Sequence, residues 1–145
     1  MTTGRRGYHS GLALASVGAV AAVFLGTTFG VGGALDQPPQ TDFYSTSAQV
    51  LAGILVALAI EFGNAMRSDP TQAQIVVTGY CGGMGLVCVL NGLTWSFAGL
   101  LDPGEPIPFQ QIAGSVAGGI TAVTIPFLYS FWAFPRRIRE SLSDG

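Results

Sequence analysis

The chain has 145 residues, enough for one domain, and its 10% of charged residues sum to a net charge of −2 with no Lys among the cations. Soluble domains carry roughly 25% charged residues. With 49% hydrophobic residues, 21 glycines and a mean hydropathy of +0.50, the composition excludes a soluble enzyme domain, a disordered tail and a nucleic-acid-binding surface. It leaves a small all-α integral membrane protein whose first partner is the lipid bilayer.

The first predicted element follows Arg5, Arg6 and His9 and is an uncharged run over 11–35. At helical rise it is about 37 Å long, enough to cross a hydrocarbon core of ~30 Å with some tilt. A signal-peptide core is shorter, about 7–15 residues, so this run reads as a retained span. Ala15, Gly18, Ala22, Gly26, Gly30 and Gly33 fall on one stripe of it, with Gly26-x-x-x-Gly30 inside. A polar stretch with Pro38-Pro39 separates it from a second span over 45–66, which holds one charge, Glu61. There Ser45, Gln49, Gly53, Ala57 and Glu61 form a single ridge of polar and small residues at four-residue spacing.

A turn at Arg67–Pro70 leads into a third span over 73–101. Thr78, Cys81, Gly85, Cys88, Gly92, Trp95 and Gly99 alternate three and four apart along it, which is one helical face made almost entirely of small residues. After Asp102-Pro103-Gly104-Glu105-Pro106 comes the fourth span, over 111–134, with Gly114-x-x-x-Gly118 and a kink expected at Pro126. Pro135 is its expected stop, followed by Arg136, Arg137 and Arg139. The expectation is a bundle of four transmembrane helices in which chain neighbours pack antiparallel across short links.

The arginines orient the bundle. They occur before the first span, between the second and third, and after the fourth, and never in the two remaining links. The positive-inside rule then makes both termini cytoplasmic, as an even number of spans also requires.

Lipid is as apolar as a leucine, so burial does not drive helices together inside it; close packing of small residues and interhelical hydrogen bonds do. Gly85, Cys88 and Gly92 on the third span, Gly26 and Gly30 on the first and Gly114 and Gly118 on the fourth are therefore the expected packing positions. Cys81 and Cys88 stand ~10 Å apart on one helix, too far to form a disulfide with each other. Polar residues fall at two depths. An inner layer holds Glu61 with Thr78, Tyr80 and Tyr129, and an outer layer holds Gln49, Asn91 and Thr94, with Thr27, Thr28 and Ser115 at similar height. An ionisable group inside a span is a candidate ion or proton site, and Glu61, Tyr80 and Tyr129 form that candidate here. Its alternative role is an interfacial anchor whose carboxylate reaches water or pairs with Arg67 or Arg136. Asn91 and Gln49 read as interhelical hydrogen-bonding groups.

Catalytic signatures are missing: no Asp lies inside a span, and Ser115 has neither Lys nor His within reach. His9 has no companion with which to hold a metal. No enzyme activity, metal or cofactor is expected.

The segment Phe43-Tyr44-Ser45-Thr46-Ser47-Ala48-Gln49-Val50-Leu51, followed by Leu58-Ala59-Ile60-Glu61, resembles a stretch found in uncharacterised small four-span membrane proteins of actinobacteria. The resemblance implies a bacterial plasma membrane and draws attention to Gln49 and Glu61. Two functional expectations follow from the residues. One is a non-catalytic accessory or interaction subunit that packs through Gly/Ala helix faces onto itself or another membrane subunit. The other is a homo-oligomeric channel or transporter with Glu61 in an ion- or proton-linked path.

Overall fold

The computed structural model describes residues 3–31, 41–67, 71–102 and 107–143, with side chains over 11–30, 41–66, 71–102 and 108–132. Among the described residues the chain forms four helices: α1 (Thr3–Val31), α2 (Thr41–Arg67), α3 (Gln72–Leu101) and α4 (Ile107–Ser143). Each contains a stretch long and apolar enough to cross a membrane, with mean hydropathy between 1.5 and 2.0: Gly11–Gly30, Thr41–Met66, Gln72–Leu101 and Pro108–Trp132.

Several helix ends differ from expectation. α1 begins at Thr3, so Arg5, Arg6 and His9 lie on the helix rather than ahead of it. α4 continues through Pro135 as far as Ser143. A proline inside a helix forfeits one backbone hydrogen bond and kinks the axis, and here the turns on either side carry the helix onward. The expected end of the first span at 32–35, the Pro38-Pro39 link and residues 103–106 lie outside the described residues. α3 has the sharpest start: Thr71 caps it, accepting from the Gln74 backbone N–H at 3.3 Å, while the Gln74 side-chain oxygen accepts from the Thr71 N–H at 3.1 Å. At its other end the Asp102 N–H donates to the Ala98 carbonyl at 3.0 Å.

The helices do not all pack on their chain neighbours. α3 and α4 form the central pair; α1 touches both, α2 touches both, and α1 and α2 make no contact with each other among the described residues. The two outer helices therefore flank the central pair from opposite sides. This corrects the expectation that every sequential pair would be neighbours. The glycines of α3 and α4 supply the reason for the close central pair.

The α2–α3 seam repeats every seven residues. Tyr44, Leu51 and Leu58 of α2 are buried, and they fill the spaces left by Gly99, Gly92 and Gly85 of α3. A Cβ added to Gly92 would stand 2.7 Å from both the Leu51 side chain and the Ser115 Cβ. One added to Gly85 would stand 2.9 Å from Leu58 and from Ala122, and one on Gly99 would run into the Tyr44 ring. The pairing runs in opposite directions along the two helices, so α2 and α3 are antiparallel. The α3–α4 seam is antiparallel by the same test: Gly85 meets Ala122, Cys88 meets Gly118 and Gly92 meets Ser115. On the far side Thr28 and Phe24 of α1 close over Gly114, and Phe24 reaches Gly118. These large-into-small contacts hold a core of Val20, Leu51, Ile54, Leu58, Cys88, Val89 and Ala122. Dispersion between these well-fitted surfaces contributes attraction along both seams.

Candidate functional site

The glycine seams fix the rotation of every helix, and that rotation decides where each polar side chain points. On α2 the inward face is Tyr44, Ser47, Leu51, Ile54 and Leu58. Gln49 lies about 200° around the helix from Leu51 at 100° per residue, and it is exposed. Gly53 is exposed too, and a Cβ there would meet nothing within 4 Å. Ala57 and Glu61 are half-buried at the flank. The ridge expected to link two internal polar layers thus turns away from the bundle, because α3 accepts only the large residues of the opposite face.

The inner layer does not assemble either. Thr78 and Cys81 mark the inward face of α3, and Tyr80, 100° away from Cys81, points outward with 54% of its surface exposed. Tyr129 is half-buried on α4, and no hydrogen bond joins it or Tyr80 to Glu61 among the described residues. The side chains of Arg67 and Arg136, the alternative partners of Glu61, lie outside the described residues.

In the outer layer one interhelical polar contact forms. The Asn91 amide on α3 donates to the Ser115 hydroxyl of α4 at 3.0 Å and to the Gln111 side-chain oxygen at 3.4 Å. Ser115 is fully buried, so this contact supplies the partner its oxygen would otherwise lack. Thr94, expected in the same layer, is exposed and returns its hydroxyl to the Leu90 carbonyl of its own helix at 2.9 Å. Six further hydroxyls behave alike: Ser16, Thr28, Ser47, Ser96, Thr121 and Thr124 each donate to the carbonyl four residues earlier. A hydroxyl satisfied within its own helix leaves little to form a continuous polar path.

Of the expected packing positions, Gly85, Cys88, Gly92, Gly114 and Gly118 all lie at helix contacts. Gly26 and Gly30 do not: both are exposed, and a Cβ on either would meet nothing within 4 Å. α1 instead buries Ala13, Ser16, Val20 and Thr28. The Gly-x-x-x-Gly spacing permits close approach by another helix, and among the described residues no helix takes it up. Both cysteines are free and buried.

Sequence reasoning missed Tyr44, whose ring is fully buried against Gly99 and whose hydroxyl has no hydrogen-bond partner. A signal was present, since Tyr44, Leu51 and Leu58 repeat with the period of Gly99, Gly92 and Gly85. An open apolar groove of about 350 Å³ lies between α2 and α3, walled by Leu55, Phe62 and Leu86 over Gly79, Gly82 and Gly83. Its lining offers neither nucleophile nor base. Among the described residues no three of His, Cys, Asp and Glu stand together as metal ligands would.

These features define a bundle of four helices, each long enough to span a membrane, held in part by an internal polar contact of Asn91 with Ser115 and Gln111. Compared with protein families, curated proteins and solved structures, the chain matches none.

Proposed function

We propose that the chain is a small multi-pass protein of a bacterial plasma membrane, with both termini cytoplasmic, that serves as a non-catalytic interaction subunit. The observation that carries this reading is the contrast between its inside and its outside. The interior glycine notches are filled by the chain's own Tyr44, Leu51 and Leu58, while Gln49, Gly53, Gly26 and Gly30 face away from the bundle. Small and amide-bearing residues on a lipid-facing surface are what helix association in membranes uses. The one-sided distribution of arginine supports the orientation.

The ion-path reading has less behind it. It needs Glu61 to open onto a polar interior, and the neighbouring interior at Leu58, Gly85 and Ala122 is apolar and closed. Purification in mild detergent followed by native mass measurement tests the interaction role. The expected mass exceeds that of one 15.0 kDa chain, either as a multiple of it or with a second chain bound. A monodisperse single chain retained in lipid nanodiscs as well would refute it. Reporter fusions at residue 40 and at the C-terminus should report opposite sides of the membrane; equal signals would overturn the orientation.

A further inference from the structure

The α2–α3 seam loses its fit toward one end. Extending the seven-residue repeat that pairs Tyr44, Leu51 and Leu58 with Gly99, Gly92 and Gly85 sets Ala65 against Thr78, so that small meets small. The loosening is progressive. A Cβ on Gly85 would stand 2.9 Å from Leu58, one on Gly82 3.3 Å from Phe62, and one on Gly79 would meet nothing within 4 Å. What remains is a cavity of about 150 Å³ lined by Phe62, Ala65, Met66, Ile75, Thr78 and Gly79. Phe62 and Gly79 also line the apolar groove of about 350 Å³, so the two spaces adjoin as one furrow along the seam.

Thr78 gives this furrow an unmet polar demand. Among the described residues six serine and threonine side chains are buried: Ser16, Thr28, Ser47, Thr78, Ser96 and Ser115. Five of them are hydrogen-bonded. Thr78, only 9% exposed, makes no hydrogen bond among the described residues. Burying a hydroxyl without a partner costs stability. Unlike the sealed hydroxyl of Tyr44, that of Thr78 borders a cavity from which a partner can reach it.

Depth identifies the partner. Thr78 lies about 13 Å from the centre of Gln72–Leu101 by helical rise, near the edge of a hydrocarbon core of ~15 Å half-thickness. Leu86 and Leu55, at the other end of the furrow, lie within about 2 Å of the centres of their own spans. The furrow therefore runs through one leaflet, from its headgroup boundary to the midplane, and is apolar except at Thr78. An ester-linked lipid has the same layout: an acyl chain as long as a leaflet is deep, and at its boundary a carbonyl oxygen that accepts a hydrogen bond. A helix, about 10 Å across, lies over such a seam rather than in it, and its backbone carbonyls are already bonded.

We propose that the furrow binds one ester-linked lipid of the leaflet on the Arg67 side, with an acyl chain over Gly79, Gly82 and Gly83 and the ester carbonyl accepting from the Thr78 hydroxyl. The inference rests on the membrane-spanning reading and holds whether or not the chain binds a protein partner.

The test uses the full chain, after flotation with liposomes has shown that it is membrane-bound. It is placed in nanodiscs of equal parts ester-linked phosphatidylglycerol and its ether-linked analogue, which lacks the carbonyl, and the lipid it retains is read by native mass measurement. One lipid per chain is expected, ester over ether by about twofold to twelvefold, the factor that one net hydrogen bond gives. Thr78→Val should hold the two lipids equally, and Thr78→Ser should keep the preference. Ala65→Leu, which carries the large-into-small repeat into the cavity, should retain neither lipid, while Leu90→Ala, outside the furrow, should match the parent. A parent that retains no lipid, a Thr78→Val variant that keeps the ester preference, or an Ala65→Leu variant that holds lipid like the parent would overturn the site. Retention of added palmitate in place of both glycerolipids would overturn it too. A single chain carrying its lipid would sustain the site while refuting the interaction role, and a chain that does not float would overturn the membrane reading itself.

Discussion

Substituting alanine at Gly92 and at Gly26 separates packing from helix propensity. Both glycines lie inside helices, and Gly→Ala in a helix interior gains ~1 kcal/mol from reduced backbone freedom. At Gly26 the new methyl meets nothing within 4 Å, so the gain stands. At Gly92 it would sit 2.7 Å from the Leu51 side chain on α2 and 2.7 Å from the Ser115 Cβ on α4. Carbon atoms pack at about 3.5–4.0 Å, so each contact is too short by roughly an ångström. The two obstacles lie on different helices, and moving α3 away from one drives it toward the other. Leu51 can change rotamer, but the Ser115 Cβ is fixed to its backbone. Overpacking of this kind costs about 1–3 kcal/mol. Gly92→Ala should therefore be less stable than Gly26→Ala by about that amount, read by circular dichroism during unfolding in mixed detergent micelles. Adding Leu51→Ala should recover part of the loss, with a coupling of about 0.5–3 kcal/mol in the double-mutant cycle. Equal stability of Gly92→Ala and Gly26→Ala would refute the notch geometry.

Three further outcomes follow. Asn91→Leu should destabilise the bundle by about 1–2 kcal/mol in the same assay, because it leaves the buried Ser115 oxygen without its donor, whereas Thr94→Val should change little, since that hydroxyl is satisfied on its own helix. Tyr44→Phe should be neutral or slightly stabilising, because the hydroxyl it removes is buried without a partner; Tyr44→Ala, which empties the space over Gly99, should lower the unfolding midpoint sharply. Cys81 and Cys88 should resist maleimide in the folded protein and react in SDS, as their 0% and 3% exposure requires, measured by mass shift.

The α3 face was readable because a glycine in an apolar run has few uses besides close approach, and seven residues at alternating three and four spacing single out one face. Of those seven, only Trp95 is not buried. The facing direction of α2 was harder. Its polar ridge and its Tyr44–Leu51–Leu58 row each satisfy a helical period, and polarity alone favoured the ridge as the inside. The decision lies in a pairing between two helices, where glycine notches select large partners, and one helix read by itself does not contain it. For α1 the Gly26-x-x-x-Gly30 spacing was read as packing within the chain, although the pattern says nothing of where the partner helix comes from. Depth along the spans was informative: it put Ser115 level with Asn91, and these two do hydrogen-bond.

The separation of α1 from α2 gives the chain a distinctive order of assembly. A polypeptide emerges from its N-terminus, so the first two helices are complete before the surfaces they rest on exist. Neither finds a binding face on the other. α3 gives each of them a first anchor, and only α4, the last to be made, completes the wedge that both lean on. A chain interrupted after Asp102 would lack one of the two helices that contact all the others. In such a fragment α1 and α2 would each have only α3 to rest on, and the two seams that α4 closes would stay open.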